Sequence, residues 1–398
     1  MTTVTSFTAG DPAEVRLRML QERGALPAWF EHTRGWAEKF HSEWTSEGWD
    51  PNDSMAKVFS PVWGLGPAAG GGPNSPTIIM PANVPVFIRA VFDSLDTAIS
   101  RSGDENAPLR LSWEGIQAAL DRLSQIIGSI RDTGIPMFAG HADPWNSVTI
   151  AAAHFCYMHE LAHITFQNQN WFQLDEERWV NEFRADELGL VGLVLSYRSH
   201  PELLETLALS GPVLSLYFAE IERIAAGNLD QGTSTHPPVR SRIFALREKI
   251  CIATREGLIN GNPLPMADFY AKSLGAFVTI LESDNYPIIS PVEIFLKNLV
   301  RDIRRGNEDR LHAQCNLLLR WFVLGDHQKV FDACHRSLGA IHDDQHDLFD
   351  LLQKFVAFAQ IYCDSLPGGC DFIEFLNKIC LFDREAWESA GEGLLGRP

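Results

Sequence analysis

The sequence predicts an α+β fold that is predominantly α-helical, in which a domain with a small sheet precedes an all-α C-terminal domain. Apolar residues recur at helical spacing along most of the chain. Short β candidates are few, and the best are TIIM at 77–80 and PMFAG at 136–140. From about residue 267 onward the pattern is helical nearly throughout, which predicts that the C-terminal domain contains helices alone.

Composition limits the class of protein. The chain has 398 residues, 45% of them hydrophobic, which is enough for a large core and two or three domains. Its net charge of -18 argues against nucleic-acid binding, because such binding depends on Lys and Arg that neutralise phosphates. Neither a secretory signal nor a membrane-spanning run is evident, so we expect no membrane association. The seven cysteines lack tight pairs, which favours reduced thiols in the cytoplasm.

Breaks in the pattern divide the chain into five predicted segments. An N-terminal helical segment covers 1–63, and a Gly/Pro-rich loop covers 64–76. Residues 77–256 form the domain that carries the candidate site, and 257–267 form a linker. Residues 268–398 form a helical domain in which two helix hairpins resemble tetratricopeptide units. Such units predict an interaction with a regulatory protein.

The segment YMHELAHITF at 157–166 carries the candidate metal site. A helix places His159 and His163 one turn apart and about 40° from each other around its axis, so both imidazoles can bind one ion. Glu160 projects from the adjacent position, where its carboxylate reaches a water molecule on the metal without binding the metal itself. Two unrelated histidines on a helix produce the same pattern, so the motif alone leaves both interpretations open.

A second segment, NEFRADELG at 181–189, offers a third ligand. Glu182 and Asp186 are four residues apart and therefore share a helix face. A catalytic zinc site needs three protein ligands and an open fourth position, and Glu182 is the candidate that completes the set. Asp186 is the candidate acceptor for the free N–H of a ligating histidine. A charged surface helix would explain the charges but not this paired spacing.

These segments resemble a known superfamily. HELAH followed by NEFRAD resembles the gluzincin zinc peptidases, in which a Glu on a second helix is the third ligand and an Asp four residues later supports a zinc-bound His. STHPPVRSRIFALRE at 234–248 is similar to the stretch that ends the catalytic domain of M48-type peptidases. From first to last the three segments span residues 159–248, about a quarter of the chain. The resemblance implies a gluzincin-type peptidase domain with a small sheet and an active-site helix.

The resemblance also implies a mechanism and a substrate class. Zn²⁺ would be held by His159, His163 and Glu182, with Glu160 as the general base. The implied function is a soluble intracellular zinc endopeptidase that cleaves a specific protein or peptide substrate. M48-type peptidases are often membrane-embedded or carry a long insertion before the Glu, so a prenylated or membrane substrate is not carried over. The alternative is a non-catalytic zinc-bound scaffold that presents the C-terminal helices to a partner, but such a site needs no Glu160.

Three further residues near the motifs have less specific patterns. The resemblance implies that His236, in the STHPP stretch, lies near the active site, where it is a candidate catalytic residue that stabilises the oxyanion of the tetrahedral intermediate. Alternatively, Thr235 or His236 caps a helix that begins at Pro237, and the two roles do not exclude each other. His154 points to a different helix face and is predicted to be a packing or supporting residue rather than a ligand. Cys156 is predicted to be a small buried hydrophobe.

Overall fold

The structure, a computed structural model, describes part of the chain. The described residues are 19, 22–23, 42, 56–60, 68–70, 77–81, 84–100, 110–133, 147–168, 178–196, 210–225, 227, 236–259, 264–283, 286–324, 327–340, 345–363 and 368–380. Their strands are β1 (Ala56–Ser60), β2 (Ala68–Gly70), β3 (Thr77–Pro81), β4 (Ile99–Ser100) and β5 (Arg110–Leu111). Their helices are α1 (Val84–Ala98), α2 (Trp113–Thr133), α3 (Ser147–Asn168), α4 (Arg178–Ser196), α5 (Ser210–Ala225), α6 (Val239–Arg255), α7 (Leu264–Glu282), α8 (Pro291–Arg305), α9 (Glu308–Leu324), α10 (His327–Ala340), α11 (Gln345–Cys363) and α12 (Gly369–Cys380).

The predicted α+β class is wrong, because the described part of the chain is almost entirely helical. Its helices contain 12 to 22 residues, whereas its strands contain 2 to 5. The largest core cluster comes from packed helices, and the strands are too short to add a β layer to it. Of the two predicted β segments, 77–80 lies in β3 and 136–140 lies outside the described residues.

The strand pairing arises from contacts that local sequence does not reveal. The order is β1-β3-β2, with β1 parallel and β2 antiparallel to β3, and β4 pairs separately with β5. β1 falls in the segment 1–63 that was predicted to be helical, and β2 falls in the predicted loop at 64–76. Both adopt strand geometry by pairing with β3, because β structure depends more on neighbouring strands than on intrinsic preference.

The chain separates into two compact units. The first holds α1, α3 to α7 and α2 up to Arg131, and the second combines residues 7–27 and 132–135 with Ser290–Pro398, which contains α8 to α12. This division differs from the predicted one, in which 257–267 was the linker. Helix α7 begins inside that segment, at Leu264, and belongs to the first unit, where Tyr270 and Leu274 are buried in the core cluster.

Helix α3 is fixed in the centre of the first unit. It packs against α1, α4 and α5, and most of its described side chains are buried. The approach of α5 is close at Gly211, where a Cβ atom would lie 2.6 Å from the backbone nitrogen of Ala152. An apolar surface on all sides is typical of a helix surrounded by others. Even so, no described helix combines the length and hydropathy that crossing a membrane requires.

The second unit contains two helix pairs at the positions of the predicted hairpins. α9 and α10 occupy the first hairpin, and α11 and α12 occupy the second. They follow α8, which has a well-defined start and end. The hydroxyl of Ser290 accepts a hydrogen bond of 3.2 Å from the backbone N–H of Glu293, and Gly306 ends the helix at a φ of 62°. The resemblance of these pairs to tetratricopeptide units stays a prediction.

Candidate metal centre and active site

Helices α3 and α4 bring three predicted ligands to one point. The Nε2 atoms of His159 and His163 are 3.1 Å apart. Glu182, on α4, places Oε2 at 3.4 Å from Nε2 of His159 and Oε1 at 3.3 Å from Nε2 of His163. Among the residues that the structure describes, these three side chains form the group whose potential ligand atoms lie close enough together to hold one metal ion.

The spacing of these atoms fits a tetrahedral zinc ion. Nitrogen and oxygen ligands at about 2.0–2.1 Å from such an ion lie about 3.3 Å from one another. The two Nε2 atoms are 3.1 Å apart, and Glu182 approaches Nε2 of His163 with Oε1 at 3.3 Å and Nε2 of His159 with Oε2 at 3.4 Å, so each closest approach is near this value. Oε2 of Glu182 is buried and accepts no hydrogen bond from the described residues, although a guanidinium nitrogen of Arg242 lies 3.4 Å from it, so it has room to bind a metal ion as well. The donor set of two imidazoles and one carboxylate is one that zinc prefers.

Asp186, the predicted supporting residue, lies beside the first histidine. Its Oδ1 atom lies 2.9 Å from Nδ1 of His159, and its side chain is 3% exposed. Nδ1 therefore faces Asp186, and Nε2 is the nitrogen directed at the other two candidate ligands. A metal ion would displace the proton that Nε2 carries without it.

The charges of the cluster perturb one another strongly. Burial alone would raise the pKa of Glu182, but His159, His163 and Arg242 hold it far below its usual range. Burial likewise opposes ionisation of Asp186, whose pKa is lowered by Arg242 and His159. Burial acts to lower the pKa of His159, yet Asp186 and Glu182 raise it to about 9. Both carboxylates are therefore ionised at neutral pH, as a ligand and its supporting acceptor need to be.

Arg242, on α6, is a member of the cluster that the sequence pattern did not single out. Its Nε and Nη2 atoms donate hydrogen bonds of 2.8 and 2.7 Å to Oδ2 and Oδ1 of Asp186. Its Nη1 atom lies 3.4 Å from Oε2 of Glu182, and the arginine side chain is only 7% exposed. The sequence did contain a signal for this role, because helical spacing places Arg242 on the same face as the apolar residues Leu246 and Ile250, and that face is buried. A charged residue at such a position needs a buried partner.

Glu160 lies beside the ligand cluster and is partly exposed. Its charge acts on both Cys156 and Arg242, so its carboxylate is within electrostatic range of each. Burial, followed by Glu160, raises the pKa of Cys156 to about 12. Its thiol is protonated at neutral pH. The side chain is partly rather than fully buried, and it packs against the core cluster. His154, also predicted to be a packing or supporting residue, is buried in α3.

His236 lies on the exposed side of the cluster. Its Nε2 atom is 3.6 Å from Oε1 of Glu182, and its side chain is 58% exposed. Partial burial lowers its pKa, so the imidazole is neutral at neutral pH. Helix α6 begins at Val239 with Pro238 in the N-cap position, two residues later than predicted. His236 therefore does not cap this helix, and Thr235 lies outside the described residues.

Comparison with known proteins adds the class of activity. Residues 138–262, about a third of the chain, match the model of the peptidase U49 family. This segment contains α3 to α6 and therefore every candidate site residue. No curated protein and no solved structure matches the chain. The match indicates a peptidase, which acts on protein or peptide substrates, but it does not identify the M48 type.

Proposed function

We propose that this peptidase is a zinc-dependent endopeptidase in which His159, His163 and Glu182 hold Zn²⁺. The observation that supports this most is the ligand triangle formed by these three side chains, whose closest approaches are 3.1, 3.3 and 3.4 Å, the last two to different oxygens of Glu182. Asp186 supports His159 from behind, as carboxylates do for zinc-bound imidazoles. Three protein ligands leave one tetrahedral position for water or substrate, which is the arrangement of a catalytic rather than a structural zinc site.

In this proposal the chain supplies the proton transfers. Bound zinc supplies a Lewis acid that polarises the scissile carbonyl and lowers the pKa of water. The carboxylate of Glu160 takes a proton from the attacking water and delivers it to the leaving amine. The neutral imidazole of His236 donates its N–H to the carbonyl oxygen as negative charge develops there. Both side chains are partly or largely exposed, so a peptide in the cleft can contact them.

We also propose a specific cytoplasmic protein as the substrate, with the C-terminal helices as the site for a regulatory partner. The described cysteines are free, and three of them, Cys315, Cys334 and Cys363, are buried, which suits a reducing compartment. A peptidase without narrow specificity would damage its own cell. Narrow specificity therefore requires substrate contacts beyond the cleft, and a helical domain offers the surface for them.

Removal of zinc is expected to abolish cleavage, and readdition of one equivalent is expected to restore it. Zinc content is measured by elemental mass spectrometry, and cleavage is measured on a peptide library. Because the metal binds only the folded chain, it adds about 2.7 kcal/mol to the free energy of unfolding at a free zinc concentration of 100 times Kd, and Tm rises. Full cleavage by a zinc-free chain would contradict the proposal.

Replacing His236 with alanine is expected to leave the zinc content unchanged and to lower kcat/KM by about 10²–10³-fold, the usual effect of losing one oxyanion donor. The imidazole is near Glu182 but outside the group of converging ligands. Arg240→Ala is the control, because that side chain is exposed on the same segment. Loss of zinc from His236→Ala would make this histidine a ligand, and unchanged kcat/KM would remove it from the mechanism.

A further inference from the structure

We propose that Arg242 is a positioning residue that holds both α4 carboxylates in the orientation needed for zinc binding. The inference rests on the proposed function and assigns a role within the same site. One guanidinium contacts Asp186 through two hydrogen bonds of 2.7 and 2.8 Å and lies 3.4 Å from Glu182. The candidate third ligand and the carboxylate that supports His159 are therefore both held by a single cation.

The two carboxylates need such a cation to stay in place. Glu182 and Asp186 are one turn apart on α4, and both side chains are at least 92% buried. Like charges at this spacing repel each other, and the repulsion is stronger where water is excluded. Arg242 lies against both groups and offsets the repulsion. Without it, rotation of either side chain would relieve the repulsion and disrupt the ligand triangle.

The planar shape of the guanidinium matters as much as its charge. Its fork binds both oxygens of Asp186, and this fixes the plane of the carboxylate. Oδ1 of Asp186 accepts the hydrogen bond from Nη2 of Arg242, and it also lies 2.9 Å from Nδ1 of His159. Arg242 thus sets the position of the atom that orients the first histidine. A lysine ammonium carries the charge but lacks the fork.

The contact of Arg242 with α4 also affects the position of His236. Arg242 lies in the first turn of α6, and His236 lies six residues before it. Binding of Arg242 to α4 therefore fixes the start of α6 next to Glu182, where Nε2 of His236 is 3.6 Å from Oε1. One arginine connects a metal ligand, the support of a second ligand and the segment that carries the candidate oxyanion donor.

A matched control exists on the same helix. Arg247 binds Asp268 through two hydrogen bonds of 2.6 and 3.0 Å, so it repeats the fork geometry. However, Arg247 is 45% exposed, and its partner is not a candidate ligand or its support. Replacing Arg247 with methionine therefore removes an equivalent ion pair of α6 without touching the site.

The test measures zinc affinity of the full chain by competition with a chromophoric chelator, in wild type, Arg242→Met, Arg242→Lys and Arg247→Met. Loss of a group that orients metal ligands lowers affinity by about 10–100-fold. We expect a loss of this size for Arg242→Met, a smaller one for Arg242→Lys, and none for Arg247→Met. Arg242→Lys is included because the methionine variant leaves Asp186 buried without its cation and is at risk of unfolding.

The outcomes separate the role of Arg242 from the proposed function. A double-mutant cycle with Asp186→Asn is expected to show that Arg242→Lys reduces affinity less when Asp186 is already neutral. If Arg242→Lys binds zinc as tightly as wild type, the positioning role is overturned, although zinc binding itself stands. If wild type binds no zinc, the proposed function fails first, and the role of Arg242 fails with it.

Discussion

Replacing Glu160 with glutamine is expected to lower peptide cleavage by about 10²–10⁴-fold, the contribution of a general base, while zinc stays bound. Glutamine has nearly the same shape as glutamate but cannot accept the proton of the attacking water. Glu160 lies outside the triangle of ligand atoms, so the substitution leaves the three donors in place. If Glu160 is the catalytic base, the variant loses cleavage but keeps zinc. If the protein is a non-catalytic scaffold, neither the wild type nor the variant cleaves peptides.

The Glu160→Gln comparison requires two measurements on the same samples, zinc per chain and kcat/KM on a cleaved peptide. Glu248→Gln provides the control, since it is the same change at an exposed position of α6. We expect it to match wild type in both measurements. Wild-type kcat/KM in Glu160→Gln would exclude the proposed mechanism, and loss of zinc would show that Glu160 contributes to the metal site directly.

Replacing His163 with alanine is expected to remove both zinc and cleavage. His163 supplies one corner of the ligand triangle, at 3.1 Å from His159 and 3.3 Å from Glu182. Its loss leaves two protein ligands, which is too few for a tetrahedral site of this kind. The decrease in affinity should exceed the range of about 10–100-fold that follows loss of a supporting residue.

Zinc affinity of His163→Ala is measured by the same chelator competition that we propose for the Arg242 variants. His236→Ala is the matched comparison, because it also removes a histidine that lies near Glu182. The account requires opposite results, with zinc lost from His163→Ala and kept by His236→Ala. Wild-type affinity in His163→Ala would exclude the triangle as the metal site.

The local geometry of the site was accessible from sequence. The separation of four residues between His159 and His163, and between Glu182 and Asp186, places each pair on one helix face whatever the rest of the fold does. The structure places both pairs on helices and brings His159 against Asp186 at 2.9 Å. The placement of each pair on one face follows from helix periodicity, which is a local property, whereas the approach of His159 to Asp186 depends on the packing of α3 against α4.

Features that depend on tertiary contacts were not accessible in the same way. The α+β class was wrong because the strands are too short to form a β layer and packed helices build the core. The start of α6 was predicted at Pro237 but lies at Val239, because two consecutive prolines are both compatible with the first residues of a helix or the residues just before it. Arg242 was missed because its role depends on the approach of α6 to α4, which brings it to Asp186.

The most direct test of a zinc peptidase with Glu160 as its base compares protein N-termini by mass spectrometry in cells that express wild type or Glu160→Gln. Both proteins must first be shown to carry zinc. The account predicts one or a few new N-termini in the wild-type cells that are missing with Glu160→Gln, and these would also identify the substrate. Identical sets of N-termini in the two cell lines would contradict it.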